Sequence, residues 1–480
     1  MENKINDLPN SFLQLSNEQM RTLGYRIIDQ LVDHFTTLAE KPVTRVARRI
    51  DLEARLREPL PEVGRDFNQV LDQLQADVWN HIMHLDHPRF FGFVPSPSNY
   101  VSVMADLLVA GFNPFAGTWL EASGPAQIEL VTIDWLRQLA GFPETAGGHF
   151  VTGGSAANLT ALAVARHIKL NDQIENAIIY FSDQTHSSIE RALKILGFAP
   201  QQICKLPCDE QYRLSVAELQ QTIVKDRAAG KRPFCIVANA GTTNTGAVDP
   251  LPVLAELCKR EGLWLHVDGA YGAASVLSEI GRRLLIGLEL ADSLSIDPHK
   301  WLFQPYEIGC VLLRDAHLLK QTFHILPEYL EDTSKAVEEV NFCEQGIQLT
   351  RSFRALKIWL SFKVFGISAF RAAIDQGIKL AELAEQTLSQ SSCWEVIAPA
   401  QLGIVSFRFV RDGASTDELK ALNQRLISKT IEDGFAFISS TTLKGRTALR
   451  LCTINPRTTA ADISATIQRL EQYANNLLSE

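Results

Sequence analysis

Ser295-Ile296-Asp297-Pro298-His299-Lys300-Trp301 is a lysine-bearing turn that follows one β-type run and precedes another, Ile308 to Leu313. Outward from it, toward the N-terminus, the same rhythm repeats. Leu263 to Val267, Phe234 to Ala238, Ile178 to Phe181 and Phe150-Val151 are short β-rich runs separated by helical patterning. Strands that alternate with helices form a mostly parallel sheet with helices on its faces. In the other direction a long helix-like stretch, Phe353 to Gln386, leads to Ile404-Val405-Ser406-Phe407-Arg408-Phe409, a helix, Leu449 to Cys452 and a closing helix. That tail reads as a smaller α+β domain.

Two amphipathic helices precede the sheet. Ser16 and Gln19 form a capping-box pattern ahead of Leu23, Ile27, Leu31 and Phe35. The second helix starts after Asp66, carries Phe67, Val70, Leu71, Leu74, Val78 and Ile82 on one face, and ends before Pro88. Joined by the basic, Pro-containing segment 45–61, the pair cannot bury both apolar faces alone, which points to packing on another domain or subunit. At 480 residues the chain exceeds one ordinary core. The expected parts are an N-terminal helical dimerisation segment (1–87), a large α/β domain (88–365) and a small C-terminal α+β domain (366–480).

Composition narrows the function classes. The chain is 46% hydrophobic and 21% charged, which is that of a globular protein, and its net charge of -9 offers no electrostatic reason for nucleic-acid binding. The stretch MENKINDLPN lacks the basic start and apolar core of a signal peptide, and no apolar run has the length to span a bilayer. A cytoplasmic location without membrane attachment is expected. The eight cysteines are scattered, Cys204 and Cys208 lack a second pair, and free thiols are expected. His81, His84, His87 and Asp86 lie just before Pro88 without an HExxH pattern, so a hydrogen-bonded helix end is preferred and no metal is expected.

The chemistry sits in the turns. A lysine at the edge of a sheet is partly desolvated, which lowers its pKa and favours the neutral nucleophile needed for a Schiff base, and Lys300 has that position. In His266-Val267-Asp268-Gly269-Ala270-Tyr271, Asp268 ends the preceding strand, where a carboxylate can hold a pyridine-type nitrogen protonated. Thr152-Gly153-Gly154-Ser155-Ala156-Ala157-Asn158 follows Phe150-Val151 and opens a helix, so small residues let backbone N–H groups approach an anion. A plain strand-to-helix turn is the alternative. The spacings of dinucleotide and Walker-type phosphate loops are missing. In Phe181-Ser182-Asp183-Gln184-Thr185-His186-Ser187-Ser188, His186 can stack on a planar ring or simply open a helix. Gly241-Thr242-Thr243-Asn244-Thr245-Gly246 offers hydroxyls to a ring substituent or phosphate, or is an ordinary turn.

Together the D-P-H-K-W around Lys300, H-V-D-G-A-Y around Asp268, S-D-Q-T-H-S-S around His186 and the G-T-T of 241–243 resemble the group II pyridoxal-phosphate (PLP) decarboxylases. The similarity is greatest to those acting on aromatic L-amino acids, including bacterial tryptophan decarboxylases, and runs over nearly the whole chain. The resemblance implies a type I, aspartate aminotransferase-like PLP fold and a homodimer with active sites at its interface. It implies Lys300 as the Schiff-base lysine, Asp268 as partner of the ring nitrogen, His186 as the stacking and catalytic histidine, and Thr243, Ala270 and His299 as cofactor neighbours. Ser155, Ala156 and Ala157 fall where the family holds phosphate, and Ser96 and Phe93 fall where it contacts substrate. Asp297 stands where many relatives have Asn beside the phosphate. Two close anions repel in a partly dry site, so its backbone makes the contact or its carboxyl is paired or turned away.

Tyr329, in Leu326-Pro327-Glu328-Tyr329-Leu330, falls where the family has its proton donor, and Phe there accompanies aldehyde formation. The implied reaction is decarboxylation of an aromatic L-amino acid, tryptophan first, then tyrosine, phenylalanine or DOPA, to the amine and CO₂. Phe90-Phe91-Gly92-Phe93, Phe112 to Phe115 and Trp119 would line an apolar pocket for its ring, or belong to the core. Arg89 keeps an acidic substrate such as glutamate open, and aromatic aldehyde synthesis is the other alternative.

Overall fold

The computed structural model describes residues 13–325 and 339–479. They fall into two compact units divided between His84 and Leu85. In the first, α1 (Asn17–Thr37) opens with the expected capping box: the Ser16 hydroxyl accepts from the Gln19 backbone N–H while the Gln19 side chain accepts from that of Ser16. None of its residues is buried. After α2 (Arg49–Leu56), Asp66 caps α3 (Phe67–Asp77) by accepting from Asn68 and Gln69 N–H groups. Arg26 of α1 pairs with Asp72 of α3 at 2.6 Å. The second helix is shorter than the spacing of Val78 and Ile82 predicts. A 3-10 turn at Trp79–His81 ends the α-helical hydrogen-bond ladder, which apolar periodicity alone does not reveal.

The second unit begins with α4 (Tyr100–Phe112) and α5 (Trp119–Leu139). Its main sheet collects β1 (Gly147–Val151), β2 (Ala177–Ser182), β3 (Ile203–Leu206), β4 (Arg232–Asn239), β5 (Trp264–Asp268), β6 (Ser293–Ile296) and β7 (Gly309–Leu313) in the order β1-β7-β6-β5-β4-β2-β3. β7 alone runs antiparallel to its neighbours, so the expected mostly parallel sheet is present with one reversed strand. The connections carry α6 (Gly154–Leu170), α7 (Ser187–Ile195), α8 (Val216–Ala228), α9 (Leu251–Glu261) and α10 (Glu279–Leu284). Central strands are buried on both faces, as parallel strands between helical layers must be. One apolar cluster packs Ile178, Ile236, Leu265 and Leu294 on one face, and a second packs Val151, Ile179, Val237 and Val311 on the other.

After α11 (His317–Phe323), α12 (Ala355–Ser389) is broken at Gly366, whose φ of 71° and ψ of 154° leave the helical region. The chain then forms β8 (Trp394–Gln401), β9 (Ile404–Phe409), α13 (Thr416–Asp433), β10 (Ser439–Leu443), β11 (Arg446–Cys452) and α14 (Ala460–Ser479). These four strands make an antiparallel sheet in the order β10-β11-β9-β8, the α+β tail read from sequence. Phe407, Leu449 and Leu451 of that sheet bury against Ala384, Leu426 and Ile467 of its helices. All eight cysteines are free thiols.

Candidate active site

Because β1, β2, β4, β5 and β6 point the same way, the turns after their C-terminal ends meet at one edge of the sheet. There they line a cavity of about 470 Å³. β1 delivers Ser155 and Ala156, β2 delivers His186, β4 Thr243, β5 Asp268 and Ala270, and β6 Asp297, His299 and Lys300. Nine of the residues singled out in the sequence are thus gathered around one space.

Asp268 is 7% exposed and held by three donors. The Ser295 hydroxyl and the Ala270 N–H donate to Oδ1 at 3.1 and 3.2 Å, and the Asn158 amide donates to Oδ2 at 3.0 Å. Asn158, one turn into α6 and 1% exposed, is a hub that sequence reading missed. Its Nδ2 also donates to the Ser188 hydroxyl at 3.0 Å, and its Oδ1 lies 2.9 Å from His266 Nε2. Burial pushes the His266 imidazole down to about 4, so the ring is neutral. Asn158 Oδ1 accepts from its Nε2–H, and this fixes the way the amide faces. Only its position in the stretch Thr152 to Asn158 hinted at a role.

His186 caps α7. Its Nδ1 accepts from the Ser188 N–H at 3.2 Å and lies 2.9 Å from the Ser188 hydroxyl. Burial lowers its pKa, against the pull of Asp268. The neutral ring therefore carries its proton on Nε2. The residue that opens the helix also faces the cavity.

Lys300 corrects one expectation. Burial does act to lower its pKa, but Asp297 Oδ2 lies 2.9 Å from Nζ and the net shift is upward. The Asp297 carboxyl, 4% exposed, is paired rather than turned away, and it also sits 3.5 Å from His299 Nε2. His299 donates from Nδ1 to the Ile308 carbonyl at 2.7 Å, and burial lowers its pKa.

At the start of α6, a Cβ on Gly154 would lie 2.8 Å from both Ala270 Cβ and Asp297 Oδ2, so glycine keeps the helix N-terminus open to the cavity. An amine, a held carboxylate and an open helix N-terminus around one cavity fit a phosphorylated pyridine aldehyde. Asp297 Oδ1 is buried without a hydrogen-bond partner among the described residues.

Other residues named from the sequence do not line this cavity of the single chain. Ala157 is fully buried behind the turn, packed in the core. The Ser96 hydroxyl donates to the His299 carbonyl at 2.6 Å and so supports the lysine turn instead of lining the cavity. Phe93 is 58% exposed and outside the lining, while Phe90 and Phe91 are fully buried core residues. Among the described residues, the tyrosine rings lining the cavity are Tyr271 and Tyr306, the latter 4.9 Å from the His299 ring. Neither was singled out for this place, because nothing in local spacing marks a loop tyrosine for a site. Arg89 donates to the Phe435 carbonyl, pairs with Asp462 at 3.5 Å and covers the Phe435 ring, so it is committed away from the cavity. Tyr329 lies outside the described residues.

Residues 50–410 match the pyridoxal-dependent decarboxylase conserved domain. The chain is 52% identical over 467 residues to an aromatic-L-amino-acid decarboxylase of Bacillus atrophaeus, with 97% of each chain covered. It is 29% identical over 477 residues to a phenylacetaldehyde synthase of Arabidopsis thaliana, again with 97% of each covered. Among solved structures, Catharanthus roseus tryptophan decarboxylase in complex with L-tryptophan superposes with a TM-score of 0.91 at 26% identity, over 97% of this chain and 100% of that one.

Proposed function

Since the chain belongs to the pyridoxal-dependent decarboxylase family, we propose that it removes the carboxylate of an aromatic L-amino acid, tryptophan foremost, to release the amine and CO₂. The observation that carries this reading is the convergence of Lys300, Asp268 and His186 on one cavity at the ends of parallel strands. PLP, when bound, supplies an aldehyde that joins amino groups and a ring that draws electrons from the substrate's α-carbon as CO₂ leaves.

The chain's own residues do the rest. Lys300 would hold the cofactor through its amine. Asp268, with its carboxylate fixed by Asn158, Ser295 and Ala270, holds a proton on the ring nitrogen. The His186 ring lines the cavity where it would stack on the cofactor, with its proton on Nε2. The Ser155 N–H at the start of α6, with Thr243, would receive the phosphate, whereas the Ala156 N–H is donated to the Gly153 carbonyl at 3.0 Å. Tyr329 returns a proton to the α-carbon, and this step separates amine from aldehyde as product.

The same proposal includes a cytoplasmic homodimer with Phe93 and Ser96 serving a substrate site at the subunit interface. Phe93 at 58% and Phe112 at 82% exposure are large rings left on the surface, which supports a covering subunit. That no residue of α1 is fully buried supports 1–87 as a dimerisation segment, and the break at Gly366 supports a small domain from 366 onward. Among the described residues no helix is long and apolar enough to cross a membrane.

The test is CO₂ and amine release from tryptophan, tyrosine, phenylalanine, DOPA and glutamate. Equal yields of amine and CO₂ from the aromatic substrates are expected, with Tyr329→Phe shifting output toward aldehyde. Turnover of glutamate alone, or aldehyde from the unaltered enzyme, would replace this reading.

A further inference from the structure

Two requirements meet in one side chain. The carboxylate of Asp297 touches the amine of Lys300 at 2.9 Å, and the same Oδ2 lies against Gly154 at the N-terminus of α6. A phosphorylated aldehyde must engage both of those groups, its aldehyde the amine and its phosphate the helix end. Asp297 therefore stands between the resting protein and its cofactor. Other titratable groups face Lys300: Asp268 from β5, His186 from the start of α7, His299 from its own turn, Tyr306 from the following loop and Cys452 from β11. Among the described residues, Asp297 is the only carboxylate within 4.0 Å of Nζ.

We propose that Asp297 is the resting counter-ion of Lys300 and sets the pH at which the cofactor-free protein takes up PLP, because this ion pair must be given up first. The inference rests on the reading of Lys300 as the cofactor lysine. The paired ammonium has no lone pair and cannot attack. Nζ first releases one proton to solvent, and its lone pair then bonds to the aldehyde carbon. The carbonyl oxygen leaves as water with the two remaining Nζ protons, so a C=N bond replaces C=O and atoms and charge balance. Asp297 retards the first step by favouring the charged amine, in keeping with the upward shift at Lys300. It opposes the arrival of phosphate as well, since two anions then share one helix end.

The experiment follows the growth of the Lys300-dependent absorption band when PLP is added in excess to cofactor-free protein, across a pH series, for the unaltered chain and Asp297→Asn. Uptake is expected to quicken with rising pH in the unaltered chain. In Asp297→Asn the midpoint moves down by about one pH unit or more, a gain of about tenfold in rate at neutral pH, and the two converge in alkali. A band that forms at a rate independent of pH, or profiles that superimpose, overturns the proposal. If Asp297→Asn does not fold, Asp297→Ser takes its place, and a profile that superimposes on that of the unaltered chain overturns the proposal in the same way. A band that never forms, or that persists in Lys300→Ala, overturns the cofactor-lysine reading itself, a result distinct from superimposed profiles.

Discussion

Asp249 and His266 are buried titratable groups behind the site, and they respond to acid in opposite senses. The Asp249 carboxyl accepts from Leu214 and Asn239 N–H groups, yet burial still raises it from 3.8 to about 6. It binds a proton more readily folded than unfolded, so its contribution to stability grows as pH falls from 6 toward 3.8. His266 is lowered from 6.5 to about 4 and takes up its proton more readily when unfolded, so its contribution is lost over nearly the same range. Each effect is on the order of 3 kcal/mol, and in the unaltered chain they largely offset. Asp249→Asn should leave the His266 effect unopposed. Its urea midpoint, measured between pH 6.5 and 4, is expected to fall more steeply on acidification than that of the parent, and parallel curves would refute the offset.

At the scale of elements, the turn from β1 into α6 depends on how β1 is anchored. Glu129 of α5, fully buried, accepts from the Phe150 N–H at 3.0 Å and pairs with Arg351 at 2.5 Å. Arg351 donates in turn to the Phe150 and Ala116 carbonyls at 2.9 and 3.0 Å. One buried ion pair thus ties α5, the end of β1 and the segment ahead of α12 together. Removing one partner strands a charge in the core. Glu129→Gln is expected to destabilise by about 3 kcal/mol, whereas replacing both by apolar residues of similar volume costs less. Thermal denaturation of the single and double variants decides this, and a double variant less stable than the single would refute it. β1 and α12 were readable from period and turn chemistry, whereas α5 was not. Nor was the pair, because 222 residues separate its members.

For the whole molecule, the proposed homodimer makes a direct prediction. Tyr25 and Val32 lie exposed on α1, at 63% and 42%. Placing charge in an apolar interface costs several kcal/mol, so Tyr25→Asp with Val32→Asp should shift sedimentation from dimer toward monomer. A parent that sediments as a monomer would refute the dimer. The architecture was legible to a large extent: the alternation of strands and helices, the mostly parallel sheet, the α+β tail and the turns that carry Lys300, Asp268 and His186. The length of α3 and the reversal of β7 were not, since a 3-10 turn and a strand's direction are settled by what packs around them.

By itself the sequence determined which residues stand in the turns after the strands, because apolar period and turn residues act over a few neighbours and survive in any tertiary context. Only the tertiary structure decided their partners. Asn158 meets Asp268 from 110 residues away and Ser188 from 30, while Ser96 is drawn to His299 across 203. Asp297 changes Lys300 from an amine made neutral by burial to one held charged by an ion pair. The sign of that shift rests on a distance of 2.9 Å inside a partly dry cavity, where a charge's strength depends on what surrounds it.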